Sequence, residues 1–260
     1  MRIVDTHVHV GRYWYEPVEV LLSQMERNGV EKAVLVQYGG DYDNAYLLEC
    51  CQHFPGRFAP VAMVDVSEDE AAEVLADWAR RGIVGVRLYA PRPSSGPEAL
   101  AVWSRATELG LVVSCNGRVA DFASDRFHEL VASLPELTVV IEHLAGLPPG
   151  SEADGPLFRH ALALAALPNT YLKLPGFGEL FARPIPFRKP PFPEAPEAIR
   201  MAYDAFGPKR MMWGSDYPPV SGREGYANAL RWPMQEIGFF TDEDRQWVFG
   251  QSALSVWRFV

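Results

Sequence analysis

Short runs of consecutive apolar residues alternate along this chain with longer stretches in which apolar positions recur every three or four residues. The runs starting at Ile3-Val4 and covering Lys32–Tyr38, Phe58–Val66, Ile83–Tyr89, Leu111–Asn116, Thr138–His143, Thr170–Leu174 and Arg210–Trp213 predict eight strands. They show no clean alternation of apolar with polar residues, as expected of strands buried on both faces. The stretches between them predict helices. Residues 17–28 carry apolar side chains at 18, 21, 22 and 25, and Gly29 ends the pattern. Ser67-Glu68-Asp69-Glu70 has the form of a capping box before a helix to Arg81, with Gly82 as its stop. Further helices are predicted over 43–54, 97–109, about 121–133, 158–167, 195–206 and most of 223–259.

Eight strand–helix units in roughly 250 residues are the signature of an α/β protein closed into a (β/α)8 TIM barrel, here a single domain over 1–260. An open doubly wound sheet is the rival. It would place a glycine-rich phosphate turn after the first strand, whereas Gly11 is followed by Arg12, Tyr13 and Trp14. The stretch 182–196 is rich in proline and follows the seventh strand. Loops in that position lie on the active face of a barrel, so it reads either as a surface insertion or as a wall or lid over the pocket.

In this architecture chemistry belongs to the C-terminal strand ends. Strand one ends in Asp5-Thr6-His7-Val8-His9, and residues two apart on a strand share a face, so Asp5, His7 and His9 are expected together. Two imidazoles on one face can bind a transition metal. Strand four offers Arg87 and Tyr89 on one face, strand five Cys115 and Asn116, strand six Glu142 and His143, strand seven Lys173, and strand eight Asp216 and Tyr217. Closing the barrel sets strand eight beside strand one. Asp216 then approaches His7 and His9, and His143 completes the cluster from the far wall. Such a His-His-His-Asp set can hold a metal or place water beside a carboxylate base.

Composition narrows the setting. The formal net charge of −9 argues against a nucleic-acid surface, and 48% hydrophobic with 22% charged residues fits a globular protein with a large core. The three cysteines, Cys50, Cys51 and Cys115, form no C-x-x-C pattern, so a reducing cytoplasm fits best. No signal peptide is expected, and no apolar run is long enough to span a membrane. The expected partner is a small-molecule substrate, with no nucleic acid and no membrane; self-association into a homo-oligomer is left open.

Asp-Thr-His-Val-His at the start, Glu-His-Leu-Ala-Gly at 142–146, Thr-Tyr-Leu-Lys-Leu at 170–174 and Arg-Met-Met-Trp-Gly-Ser-Asp-Tyr-Pro at 210–218 together resemble the amidohydrolase superfamily. The resemblance spans the chain. It points to the amidohydrolase-related branch, which holds sugar-acid lactonases, a pyrone-dicarboxylate lactonase and relatives of aminocarboxymuconate-semialdehyde decarboxylase. It implies a metal-dependent hydrolase in which His7 and His9 are first-strand ligands, His143 is the sixth-strand histidine and Asp216 activates water. His7, His9, His143 and Asp216 would hold one divalent metal, zinc, weakly bound or absent. A binuclear site is disfavoured, because strand four carries Arg87 and strand five has no histidine. The missing fifth-strand histidine also favours a lactonase over the runner-up, a zinc-dependent decarboxylase. A catalytically dead binding barrel is the third reading, opposed by the intact first and last motifs.

The remaining candidates each have two readings. Arg87 and Lys173 anchor a substrate carboxylate or form ion pairs inside the barrel. Asn116 orients substrate or bonds to backbone. Tyr89 is taken as substrate-binding, and Tyr13, Trp14 and Tyr217 as lining the pocket wall. Cys115 is read as a small buried apolar residue, Glu142 as structural because it alternates with His143, and His53, His128 and His160 as lying on helices away from the chemistry.

Overall fold

The computed structural model describes residues 1–91, 96–151, 155–181 and 195–260. Eight strands, β1 (Ile3–Val8), β2 (Val30–Val36), β3 (Phe58–Ala62), β4 (Gly85–Tyr89), β5 (Val112–Asn116), β6 (Val139–Ile141), β7 (Thr170–Leu174) and β8 (Met211–Trp213), form one sheet in chain order. All seven neighbouring pairs are parallel. β8 meets β1 through the bridge Val8–Tyr217, so the sheet curls into a nearly closed barrel. This is the architecture that the apolar pattern predicts. None of the described helices is long and apolar enough to cross a membrane.

Two apolar layers explain why the strands are apolar on both faces. Inside the barrel, Val4, Val34, Val36, Ala59, Val61, Val84, Val140 and Met212 pack together above Ala253 and Trp257 near the C-terminus. Outside, Val8, Leu35, Leu88, Cys115, Ile141 and Leu174 pack with helix residues such as Leu21, Met25, Trp103 and Phe127. The helix Val18–Arg27 buries Val18, Leu21, Leu22 and Met25, one stripe at helical spacing. Trp257 closes the bottom: a Cβ on Gly85 would stand 2.9 Å from its ring. The chain end is tied across the same side, with Val260 N–H donating to Phe58 O and Gly56 N–H to Val260 O. With its lower half filled and plugged, the barrel is left with polar side chains only toward the upper strand ends.

Several predicted boundaries move for identifiable reasons. Ser67 does not cap the helix: its N–H and hydroxyl both bond to Asp65, and the helix starts at Ala71. β3 stops at Ala62 because the Asn44 side chain takes over both backbone groups of Met63. The helix expected over 121–133 divides at Ser124, whose hydroxyl caps the second part by accepting from Phe127 N–H. β6 ends at Ile141, before a left-handed run at His143, Leu144 and Ala145. The stretch 182–196, read as an insertion or a lid, falls mostly outside the described residues.

Candidate active site

The first and last motifs are latched to each other at the barrel seam. Thr6 Oγ1 donates to Trp213 O at 2.7 Å, Asp216 N–H to His7 O at 2.9 Å and His9 N–H to Tyr217 O at 2.7 Å. Asp5 Oδ1 accepts from Ser215 N–H at 2.9 Å and His7 N–H at 3.2 Å. Gly214 is required at this seam, since a Cβ there would stand 2.8 Å from His7 Cβ. A register irregularity between Asp5 and Val8 changes the phase of β1. Val4 therefore faces the interior and Val8 the helices, while His7 and His9 turn inward. Asp5 does not share their face as the two-residue period predicts. It lies against Ser215 and Tyr226, and burial raises its pKa to about 6 against the hydrogen bonds that lower it.

Above the seam, Asp216 Oδ1 stands 3.8 Å from His7 Nε2 and 3.7 Å from His9 Nε2. Asp216 has a left-handed backbone, φ 58°, which aspartate tolerates better than most residues. Its other oxygen accepts from Arg223 Nη1 at 2.9 Å. Burial works against ionisation of this carboxyl, but the His9 and His143 rings and Arg223 outweigh it and keep its pKa below the ordinary value. His143 contacts the His7 ring, centroids 4.7 Å apart, and its Nδ1 donates to Glu179 Oε1 at 2.5 Å. Burial would lower the pKa of His143, but the charge and hydrogen bond of Glu179 raise it to about 9. At neutral pH it is an imidazolium whose Nε2–H faces the cluster, 3.6 Å from Glu142 Oε2.

Beneath this layer lies a buried charge cluster. Glu142 is fully buried and accepts from Arg87 Nη2 at 2.8 Å, Arg87 Nε at 3.2 Å and Ser114 Oγ at 2.6 Å. Burial opposes its charge, yet Arg87 and Lys173 hold its pKa far below the ordinary value. Glu142 thus faces inward, in line with Val140, and not away from the site as the expected alternation with His143 implies. The left-handed turn at His143 brings both side chains to the same side. Arg87 adopts the second of its two readings: it also donates to Gln37 O at 3.4 Å and has no free fork for a substrate carboxylate. Lys173 Nζ lies 2.7 Å from Ser114 Oγ, 2.9 Å from His7 Nδ1 and 3.7 Å from Glu142 Oε1. Burial brings the pKa of Lys173 down to about 8, against the pull of Glu142.

Three overlapping donor sets meet here: His7, His9 and Asp216; His7, Glu142 and His143; and His143, Glu179 and Asp216. The first fits a cation best. His9 Nδ1 lies 2.6 Å from Val36 O, which fixes a proton on Nδ1, so that in the neutral ring the Nε2 lone pair is turned toward Asp216. His7 Nε2 is buried with no hydrogen-bond partner. When Lys173 accepts from His7 Nδ1–H, that Nε2 is a free ligand atom. When Lys173 is charged and donates, Nε2 carries the proton. The second and third sets both need His143, which Glu179 holds as an imidazolium.

Not every sequence candidate reaches the cluster. Tyr217 is 2% exposed and packs on Tyr226, ring centroids 5.7 Å apart, in the outer core. Tyr89, 46% exposed, stands at the rim opposite Asn116 in register. Tyr13 and Trp14 point to solvent; their neighbour Tyr15 stacks on His9 at 5.6 Å and 17° instead. Gly11 makes that loop possible, because a Cβ there would stand 2.2 Å from Trp14 O. Cys115 is buried in the outer core, where burial drives its thiol pKa well up, the state of an inert apolar residue. His53 ends a helix, and His128 and His160 pair with each other on the helix layer. Tyr15, Ser114, Glu179 and Arg223 belong to the site and were not among the sequence candidates. Three of them sit on loops or short turns with no periodic signal, although Ser114 is the inward neighbour of Cys115.

A sequence profile of the amidohydrolase family matches residues 4–259. An L-fucono-1,5-lactonase of Burkholderia ambifaria is 29% identical over 260 residues, covering 94% of this chain and 84% of the relative. A candidate 2-pyrone-4,6-dicarboxylic acid hydrolase of Pseudomonas putida superposes with a TM-score of 0.80 at 26% identity, over 98% of this chain and 97% of that one. An amidohydrolase of Burkholderia multivorans with bound zinc superposes with a TM-score of 0.86 at 21% identity, over 100% of both chains, a likeness of fold.

Proposed function

This chain belongs to the amidohydrolase family, and we propose that it hydrolyses a lactone or similar cyclic ester of a small acid, with Asp216 as general base and His143 as hydrogen-bond donor to the carbonyl oxygen. One observation carries this reading. An ionised carboxylate stands between the His7–His9 pair and a third histidine kept protonated by its own carboxylate partner. The lactonase and pyrone-hydrolase relatives support the choice of a cyclic ester.

Arg223 fixes one Asp216 oxygen, which leaves Oδ1 to take a proton from water. As that water forms its bond to the carbonyl carbon, negative charge grows on the carbonyl oxygen, and His143 Nε2–H is placed to stabilise it. Collapse breaks the ring C–O bond. The proton held by Asp216 passes to the departing ring oxygen, so one water becomes one carboxylic acid and one hydroxyl. His7 Nε2 and His9 Nε2, with Asp216 beside them, are the groups that would hold a single divalent cation, zinc by analogy with the Burkholderia multivorans structure. When bound, it supplies Lewis-acid polarisation of the carbonyl. Tyr15, stacked on His9, holds that ring against rotation from the solvent side.

The direct test is turnover of a panel of sugar-acid lactones and alkyl lactones by purified protein, before and after chelation, with carbon dioxide release from aromatic acids measured in parallel. Ring opening with kcat/KM of about 10⁴ M⁻¹s⁻¹ or more on one member is the expected result. Decarboxylation without ring opening overturns the assignment in favour of a decarboxylase.

A pH prediction follows from the His143–Glu179 pair. The pKa of His143 is raised, so the donor form is complete below the ordinary histidine value of 6.5 and is lost as pH rises through about 9. We expect an alkaline limb near that pH in the kcat profile, and we expect Glu179→Gln to shift it to lower pH. If the limb stays in place in the Gln variant, His143 is not the donor.

A further inference from the structure

The loops after β7 and β8 are joined by a carboxylate that the chemistry above does not use. The Glu224 side chain is 2% exposed, and its Oε1 accepts from Gly178 N–H at 2.9 Å. Its Oε2 is buried and has no hydrogen-bond partner among the described residues. Burial raises the pKa of Glu224, against its own N–H, Arg223 and Gly178 N–H. A carboxylate so placed costs free energy, and the chain around it is shaped to keep it there. A Cβ on Gly176 or Gly178 would overlap the carboxylate oxygens, so only glycine lets the β7 loop pass this close.

The neighbours of the two joined residues are the groups that serve the reaction. Gly178 precedes Glu179, the partner of His143. Arg223 precedes Glu224. Its backbone, φ −116° and ψ −115°, leaves the extended form in which successive side chains point apart. Arg223 Nε lies 3.6 Å from Glu224 Oε2. The same guanidinium donates from Nη1 to Asp216 Oδ2 at 2.9 Å and from Nη2 to Glu179 Oε2 at 3.4 Å. Each of its three nitrogens thus meets a different carboxylate. A planar guanidinium held at two points can still tilt about the line between them, and a third contact removes that freedom. Glu224 is the fixed member of the three: its side chain is 2% exposed, against 12% for Asp216 and 17% for Glu179, and Gly178 N–H pins it.

Resting on the hydrolase reading above, we infer that Glu224 is a positioning residue, which acts through the Arg223 guanidinium to hold the base Asp216 and the Glu179 partner of His143 in one arrangement. Base and donor come from different strands, and Arg223 is where their supports meet. A misplacement of about 1 Å at such a site costs about 10²-fold in rate, so a residue that touches neither substrate nor water can still set kcat.

The test uses Glu224→Gln, alone and combined with Arg223→Met. Gln keeps the shape and an oxygen for Gly178 N–H, but turns an amide N–H₂ group toward Arg223 Nε. On a lactone that the wild type opens, kcat should fall about ten- to a hundredfold with KM changed less than about twofold. In the Arg223→Met background the same change should alter kcat less than about twofold, because the guanidinium it acts on is gone. A purely structural role predicts losses that multiply in the double variant. Glu224→Asp, which keeps the charge and withdraws it by one methylene, enters the same cycle if the Gln variant does not fold. Crystal structures of wild type and variant give a readout free of turnover: Arg223 should leave Asp216 Oδ2 or Glu179 Oε2 in the variant. A normal kcat, losses that multiply, or an Arg223 still seated on both carboxylates overturns the positioning role. If the wild type opens no lactone, the hydrolase reading fails by itself, and the crystal structures alone decide whether Glu224 places Arg223.

Discussion

Replacing Asp216 by Asn lowers kcat by about 10²–10⁴-fold, the range that general-base catalysis supplies, while the protein stays folded. The structure makes this substitution unusually clean. Asn adopts left-handed backbone angles nearly as readily as Asp, so φ 58° at this position is kept. The bonds from Asp216 N–H to His7 O and from Val220 N–H to Asp216 O involve backbone alone and survive. Arg223 still finds a carbonyl acceptor in the amide. Only the basic oxygen facing the His7 and His9 rings is lost. The deficit should lie in kcat more than in KM, because proton transfer belongs to the transition state. If Asp216 merely organised the turn after β8, the Asn variant would lose melting temperature and keep its turnover. Measuring both on one preparation separates the two outcomes, and a folded variant with most of its kcat removes Asp216 from the mechanism.

What the chain discloses and what it hides follow from how each residue is held. The eight strands are legible because two apolar layers press on them, so Val34-Leu35-Val36 and its counterparts are continuous apolar runs. His7, His9 and Asp216 are legible because barrel closure brings the first and last strands together, whatever their separation in sequence. Orientation is lost wherever the backbone leaves the regular period. The irregularity in β1 reverses Asp5 relative to His7, and the left-handed turn after Ile141 puts Glu142 and His143 on one side. Tyr217 is turned into the core by the backbone turn at Asp216, which a strand-end reading cannot foresee. Glu179 and Arg223 lie beyond the strands, where spacing carries no information. They become meaningful only once His143 and Asp216 are seen to need partners. Asp5-Thr6 and Gly214-Ser215 are the reverse case: residues that look like filler around His7, His9 and Asp216 form the hydrogen bonds that set these side chains in place.

Glu142→Gln is expected to produce the largest loss of stability among the site variants. Glu142 is 0% exposed and neutralises two cations that are themselves buried, Arg87 and Lys173. Gln keeps the shape and one acceptor oxygen but leaves those charges without a counterion. Removing one member of a buried pair costs about 3–5 kcal/mol, because the survivor stays desolvated and unpaired. In a protein of this size each kcal/mol is worth about 2–4 °C, so the melting temperature should fall by roughly 6–20 °C. The pH dependence distinguishes this cause from simple misfit. The carboxyl is held far below its ordinary pKa of 4.5, so its stabilising contribution is complete above that value. It is lost as pH falls toward the lower folded-state pKa. The gap in melting temperature between wild type and Glu142→Gln should therefore be widest from pH 5 to 7 and narrow progressively below about pH 4. A steric misfit would give a gap independent of pH. Melting curves of both proteins from pH 3 to 8 decide the matter: a constant offset means that Glu142 fills space, and an offset that closes in acid means that its charge holds Arg87, Lys173 and, through Lys173, the His7 ring in place.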